Sequence, residues 1–381
     1  MSRTTSPGAS PARSSIPTAP AANASAAAIS AETPSRASTR THTHAALAVL
    51  AFASLTLLSG CYLGHVAAGQ LRLLRASTPI TRALADPGLP DDDRDRLALV
   101  LEARDYARSL GLRVGEQYTT YAPWPGDRLV TAVVAARPGA LEPEPFWFPL
   151  VGSVPYKSYF AVDAAEAEAA RLRDRGLDVC LSPVPAYSTL GWLADPVSGP
   201  LLREHRADLV ATVIHEIVHA NVYVPGDADF NEGLATFIGE RAALSFFADR
   251  DGLSASQALD AQRRIDDERT VRAAVQALRD EIAALYAAEP PGPQRDARRG
   301  ELEAAARARI AALALATADA GEVAAGLRAN DACLAVEGTY TRDLPRFEDA
   351  LVRRGGDLRV FIAAARDAAD AADPRTALLG P

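Results

Sequence analysis

The alternation of hydrophobic and polar positions predicts a chain of helices interrupted by a few short strands. Apolar residues that recur every three or four positions indicate helices with one buried face, whereas short runs of β-branched and aromatic residues indicate strands. Gly111 and Gly176 are each predicted to end a helix. The pattern predicts a helix, two strands, an extended aromatic segment, a second helix and a third strand at residues 91–110, 113–121, 129–135, 146–160, 163–175 and 177–181.

Helical periodicity continues through the carboxy-terminal third. From residue 254 onward the chain is rich in Ala, Arg and Glu, and a Pro-Pro-Gly-Pro break at 290–293 predicts two long helices in an antiparallel hairpin. Alternating charges along these helices indicate faces that contact water. Two further helices are predicted at 343–354 and 358–371. The fold class is therefore α+β, a mostly helical domain with a small mixed sheet and a helical carboxy-terminal part.

The helix predicted at about 204–223 is apolar nearly all round and is therefore expected to be buried. His215 and His219 are four residues apart, so their imidazoles lie on one face of that helix, one turn apart. Two neutral imidazoles can bind one zinc ion, and Glu216 beside them can deprotonate a zinc-bound water. The alternative is a polar face on a surface helix, which the apolar neighbours disfavour because buried polar groups need partners.

A catalytic zinc site needs a third protein ligand, and Glu232 is the natural candidate. It follows His219 by thirteen residues, a gap that fits the end of one helix, a reversal and the first turn of a second helix. Pro225 and Gly226 turn the chain, and Asp229 is predicted to cap the second helix.

These motifs resemble those of known peptidases. His215-Glu216-x-x-His219 followed by Asn-Glu-Gly-Leu-Ala at 231–235 resembles the gluzincin zinc metallopeptidases. The run from 147 to 240 is more similar to a bacterial family described as aminopeptidase lipoproteins, and the likeness extends from about residue 61 to about residue 361. The matching segments are 148–156, 186–192, 195–196 and 223–227.

The resemblance implies a zincin-like metallopeptidase domain with the small mixed sheet beside the zinc helix. It also implies that His215, His219 and Glu232 hold zinc and that Glu216 is the general base in peptide-bond hydrolysis. In gluzincins an edge strand beside the zinc helix binds substrate by strand addition. Residues 184–192 are placed to be that strand, and an ordinary loop is the alternative.

A second donor must stabilise the oxyanion of the reaction. Thermolysin-like enzymes use a His, but His65 is expected near the amino-terminal anchor, and His205 is roughly 15 Å up the helix from His215. Tyr is therefore preferred, with Tyr340 ahead of Tyr156 because Tyr340 resembles the downstream Tyr of the large aminopeptidases in chain order. A core or surface role is the alternative for each. Thr236 stands where thermolysin-like enzymes carry an Asp.

The first 60 residues are predicted to be a signal peptide with a low-complexity leader, and residues 61–381 the metallopeptidase domain. Residues 1–40 are rich in Ser, Thr, Ala and Pro, and the apolar run at 45–58 is too short to span a bilayer. The run ends in Leu-Ser-Gly-Cys61, which resembles the bacterial lipoprotein cleavage box. Cys61 would then carry the lipid, and Tyr62 after it favours the outer membrane, facing the periplasm. A plain membrane anchor is the alternative.

Charge and cysteine content narrow the possible partners. Residues 1–60 carry four Arg and one Glu, a net +3, so the remaining chain carries −11 against −8 for the whole. Such an acidic chain is not expected to bind nucleic acid. Cys180 and Cys333 could pair in an oxidising periplasm, but two small buried apolar residues are slightly favoured.

Three functions compete on this sequence. The leading prediction is a lipid-anchored zinc aminopeptidase, whose partners are a peptide substrate and the membrane that holds its anchor. A zinc endopeptidase of envelope proteins is the second. The third is a non-catalytic envelope scaffold with structural zinc, which is disfavoured because such a site does not require Glu216.

Overall fold

The elements of the domain are mostly helices. The computed structural model describes residues 60–148, 152–186, 194–341 and 343–380, all within one unit that spans Ser59–Pro381. Within these residues no helix is both long enough and apolar enough to cross a membrane. The helices are α1 (Gly60–Ala76), α2 (Ile80–Leu84), α3 (Asp91–Ser109), α4 (Val162–Asp174), α5 (Gly199–Leu202), α6 (Arg206–His219), α7 (Ala228–Asp251), α8 (Ser256–Ala288), α9 (Pro293–Ala311), α10 (Ala320–Gly326), α11 (Asp331–Thr341), α12 (Leu344–Val352), α13 (Leu358–Ala369) and α14 (Pro374–Leu379).

The strands are short and form three small sheets. The strands are β1 (Thr78–Pro79), β2 (Thr120–Ala122), β3 (Val130–Ala136), β4 (Phe146–Phe148), β5 (Gly152–Val154), β6 (Lys157–Tyr159), β7 (Asp178–Val184) and β8 (Val197–Ser198). In the first sheet β2 pairs antiparallel with β1 and parallel with β8, so this sheet is mixed. In the second, β3 lies between β6 and β7 and is antiparallel to both, and in the third β4 and β5 form an antiparallel pair.

The α+β class and the small mixed sheet are confirmed, and most predicted helices are present within a few residues of their expected ends. The strand predicted at 113–121 is largely wrong, because only Thr120–Ala122 is extended and paired. The chain turns just before it at Tyr118, which has a φ of 57°. The Tyr118 N–H donates to the Asp195 carbonyl at 2.7 Å, so the segment is fastened to the chain entering β8.

The preference for unpaired cysteines is also wrong. Cys180 of β7 and Cys333 of α11 form a disulfide, with their Cα atoms 5.0 Å apart and their positions separated by 153 in sequence. The bond ties the second sheet to α11. Their spacing in sequence could not show this, because proximity depends on how α11 packs against β3 and β7.

The largest core cluster surrounds α6 and α7. It contains apolar residues from both helices, from α3 and from α12 and α13, together with Tyr121 and Val197 of the mixed sheet. Gly239 of α7 lies directly over α6: a Cβ there would be 2.6 Å from the Ala211 carbonyl oxygen and 3.3 Å from the His215 Cβ. The absence of a side chain at 239 therefore lets the two helices approach closely at the level of His215.

Candidate metal and catalytic site

Helix α6 presents the two histidines from a buried scaffold. It begins after His205, whose Nδ1 accepts from the Ala207 N–H, and it ends at His219, four residues short of the predicted boundary. One face carries wholly buried apolar residues, among them Val213, Ile214 and Ile217. The packing of this face fixes the rotation of the helix and hence the direction in which His215 and His219 project.

The reversal between α6 and α7 is held by side-chain hydrogen bonds. The Asn231 side chain accepts from the Val224 N–H and donates to the Val224 carbonyl, both at 2.8 Å. Asp227, and not the predicted Asp229, is the N-cap of α7, and its carboxylate accepts from the Phe230 N–H at 3.1 Å. Arg375 from α14 binds both oxygens of Asp227 at 2.6 and 2.7 Å. These bonds fix the first turn of α7, which carries Glu232.

His215, His219 and Glu232 converge on one point. Their donor atoms are close in all three pairs: the two Nε2 atoms are 3.0 Å apart, and the Glu232 Oε2 lies 3.3 Å from His215 and 3.5 Å from His219. The His219 side chain is 5% exposed, and those of His215 and Glu232 are 16% and 18% exposed. The cluster is the set of His, Cys, Asp or Glu in the described residues whose ligand atoms could share a metal ion.

The electrostatics of the cluster favour a charged carboxylate. Burial alone would raise the pKa of Glu232, but hydrogen bonds from His215 and His219 hold that pKa well below its usual range. Burial opposes the charged form of His219, whereas the hydrogen bond and the charge of Glu232 raise the pKa of His219. Glu232 is therefore ionised at neutral pH, the form in which a carboxylate binds a cation.

The donor set and its spacing fit zinc. Zinc prefers imidazole nitrogens and carboxylate oxygens at roughly 2.0–2.2 Å in a tetrahedral arrangement, which places neighbouring donors about 3.3–3.6 Å apart. The observed separations of 3.0, 3.3 and 3.5 Å lie close to that range without rearrangement of either helix. Three protein ligands would leave one coordination position of a bound zinc ion for water or substrate, as catalytic zinc sites require.

Two buried polar atoms beside the cluster lack a hydrogen-bond partner within the described residues: the Glu216 Oε2 and the His219 Nδ1. Buried polar atoms are usually paired, and unpaired ones concentrate where a ligand or water binds. The Thr236 hydroxyl lies 3.5 Å from the His215 Nδ1, so it reaches the position from which an outer group orients a ligand imidazole.

The remaining sequence candidates have varied outcomes. His65 accepts from the Phe160 N–H, and His205 contacts Asp260 at the far end of α6, so neither reaches the cluster.

Tyr156 is 36% exposed on the segment between β5 and β6. Tyr340 lies in α11, but its side chain is outside the described set. Of the predicted substrate strand at 184–192, residues 187–192 lie outside the described residues. Both tyrosines and this strand stay predictions.

Sequence reasoning missed Tyr118. This residue is 1% exposed, and its hydroxyl is another buried polar atom without a partner in the described ranges. Burial raises the pKa of Tyr118 well above its ordinary value, and the charges of Glu216 and Asp195 raise it further. No sequence signal pointed to it, because it precedes Glu216 by 98 positions and belongs to no motif.

Together the fold and the site define an α+β protein with a candidate two-histidine, one-carboxylate metal centre beside a half-buried glutamate. The sequence model of a family described as "Putative aminopeptidase" matches residues 61–379, most of the chain. The chain belongs to this family, and the membership supports peptidase activity. Comparison with curated proteins gave no match, and comparison with solved structures gave none either.

Proposed function

We propose that this protein is a zinc-dependent peptidase, an aminopeptidase, that His215, His219 and Glu232 hold the metal, and that Glu216 is the general base. The observation that carries the proposal is the convergence of three donor atoms within 3.0–3.5 Å of one another. The family match supports the reaction class. Zinc is preferred among divalent ions because two imidazoles and one carboxylate leaving an open position form a ligand set that it favours.

The metal and Glu216 would have different roles in the reaction. A zinc ion bound there would polarise the scissile carbonyl and lower the pKa of a water molecule toward ~7. Glu216 adjoins the ligand His215 but is not needed as a ligand, so its carboxylate is free to accept the proton of the attacking water. It then donates that proton to the amine that leaves. The buried Glu216 Oε2 suits this role, because no donor within the described residues competes for it.

Lipid anchoring is a separate part of the proposal. The family match begins at Cys61, the residue that the lipoprotein cleavage box would make the first of the mature chain. We infer that Cys61 is acylated and holds the domain at the bacterial envelope. Replacement by Cys61→Ser is expected to abolish acyl labelling and to move the protein from the membrane fraction to the soluble fraction. Unchanged labelling would contradict this part without affecting the metal site.

The experiment that tests the function combines metal analysis with hydrolysis of a peptide panel. The wild-type protein is expected to hold one zinc per chain and to release free amino acids from peptide amino termini. Glu216→Gln should keep the zinc and lose about 10²- to 10⁴-fold in kcat, the contribution of a general base. Internal cuts instead of terminal release would indicate an endopeptidase, and zinc without hydrolysis of any peptide would indicate a scaffold.

A further inference from the structure

Helix α1 joins the predicted lipidation site directly to the folded domain. Cys61 lies in the first turn of this helix, so no linker separates it from the fold. Tyr62, the next residue, is fastened to neighbouring strands. Its hydroxyl accepts from the Ser158 N–H of β6 at 3.1 Å, and its ring centroid lies 5.2 Å from that of Phe148 in β4. A lipid on Cys61 would therefore hold this side of the domain at the membrane surface.

The β4–β5 hairpin packs on the start of α1 through one face of β4. Phe148 contacts Tyr62 there, and the Lys157 ammonium lies 4.9 Å from the centroid of the Phe146 ring. Trp147 stands between the two phenylalanines in the strand, so its side chain projects from the opposite face. This side chain is 67% exposed. An indole therefore faces outward on a hairpin that contacts the residue next to the lipidation site.

Exposed apolar side chains are concentrated in this part of the domain. The described residues contain ten large apolar side chains that are exposed, and five of them belong to α1 or to residues 146–162. These five, which we call the anchor surface, are Leu63, Leu71, Trp147, Tyr156 and Val162. Clustered exposed apolar residues mark places where a soluble domain meets a partner or a membrane.

The same two stretches also differ from the rest of the chain in charge. Residues 60–76 and 146–162 contain no Asp or Glu, although the chain contains 48. Carboxylates would be repelled by the phosphate groups and anionic lipids of a bilayer surface. A lipid surface is favoured over a protein partner, because an anchor at Cys61 would press this side of the domain against lipid.

We propose that the anchor surface lies against the lipid bilayer, with the Trp147 indole among the headgroups. This inference rests on the proposed acylation of Cys61. Because Cys61 leads straight into α1, the acyl chains and the anchor surface meet the bilayer from the same side, and the domain keeps one orientation on the membrane. Trp suits this position, since its ring is apolar while its N–H stays in the hydrated headgroup region.

Quenching of tryptophan fluorescence by brominated lipids tests the contact. The full acylated protein is reconstituted into vesicles of phosphatidylethanolamine and phosphatidylglycerol whose acyl chains carry bromine, which quenches only nearby indoles. We expect Trp147→Phe to lower the quenched fraction of the emission about twofold or more. Trp124→Phe is the matched control, because Trp124 is half-buried with its ring centroid 6.0 Å from that of Phe160, and it should not lower this fraction. An unchanged quenched fraction in Trp147→Phe would overturn the proposal.

A tryptophan at another exposed position separates contact with lipid from exposure alone. Leu253, in the segment between α7 and α8, is 80% exposed and is not part of the anchor surface. Leu253→Trp in the Trp147→Phe background should restore the emission without restoring the quenching. Equal quenching at positions 147 and 253 would show that the domain has no preferred orientation, and this too would overturn the proposal.

Mass spectrometry of the amino-terminal peptide distinguishes a failure of this inference from a failure of the anchor. An acylated Cys61 together with an unquenched Trp147 overturns the anchor surface and leaves lipid anchoring intact. A chain without the acyl group refutes lipid anchoring and overturns this inference with it. Neither result affects the metal site or the peptidase assignment, which are tested by zinc content and hydrolysis.

Discussion

Buried carboxylate oxygens have hydrogen-bond donors in one region of the molecule and lack them in another. Along α8 each buried carboxylate has several donors. Asp267 accepts from the N–H groups of Ala316 and Thr317 and from the Thr317 hydroxyl, and Glu240 of α7 is bound by Arg269 and Arg272 of α8. At the α6–α7 junction, by contrast, the Glu216 Oε2 is buried and has no donor in the described residues.

The contrast shows how the candidate site differs from the rest of the core. A saturated carboxylate contributes to stability and has no remaining capacity to bind anything else. An unsaturated one lowers stability but keeps that capacity for water, substrate or metal. Both kinds occur on the same helix pair, since Glu216 lies on α6 and Glu240 lies on α7. The difference therefore comes from neighbouring side chains and not from burial alone.

The largest effect on stability is expected when the same substitution, Glu to Gln, is made at each of the two kinds of carboxylate. Glu240→Gln should lower the free energy of unfolding by about 3–5 kcal/mol, because it removes the buried charge that binds two half-buried arginines, Arg269 and Arg272. Glu216→Gln should not lower this free energy, because it removes a charge whose buried Oε2 atom has no donor in the described residues. Urea denaturation of both variants measures this. Equal losses would remove the distinction between the two regions.

A smaller effect is expected from the close contact of α6 and α7. Gly239→Ala places a Cβ 2.6 Å from the Ala211 carbonyl, so the helices must separate, at a cost of about 1–3 kcal/mol. Zinc affinity should fall as well, because His215 and Glu232 move apart. The control is Gly300→Ala, at an exposed position of α9 where a Cβ meets nothing within 4 Å. This substitution should raise the free energy of unfolding by about 0.5–1 kcal/mol. Calorimetric zinc titration and urea denaturation report the two quantities.

The smallest effect is expected at Thr236. Its hydroxyl contacts the His215 Nδ1 at 3.5 Å, which is long for a hydrogen bond. Thr236→Val keeps the shape and removes this contact, so we expect zinc affinity to fall by about tenfold. Thr270→Val, at an exposed position of α8, is the control and should leave zinc affinity unchanged. An unchanged affinity for Thr236→Val would mean that His215 is oriented by packing alone.

What the sequence could and could not predict follows from the range of the interactions. The pairing of His215 with His219 is local, because helical spacing alone places both rings on one face, and Glu232 follows after a short reversal. The Cys180–Cys333 disulfide and the hydrogen bond from the Tyr118 N–H to the Asp195 carbonyl join segments 153 and 77 positions apart. Such contacts depend on how whole elements pack, which no local pattern specifies. Asp229 was mistaken for the cap of α7 because capping preference alone does not distinguish it from Asp227.

The most direct test of the account is the zinc content of the purified protein and of Glu232→Gln, measured by mass spectrometry of the metal. Wild type is expected to hold one zinc per chain, and the variant, with one of three ligands weakened, to lose affinity by about 100-fold or more while remaining folded. Equal zinc in both proteins, or no divalent metal in wild type at saturating zinc, would contradict the claim that these three side chains form a metal site.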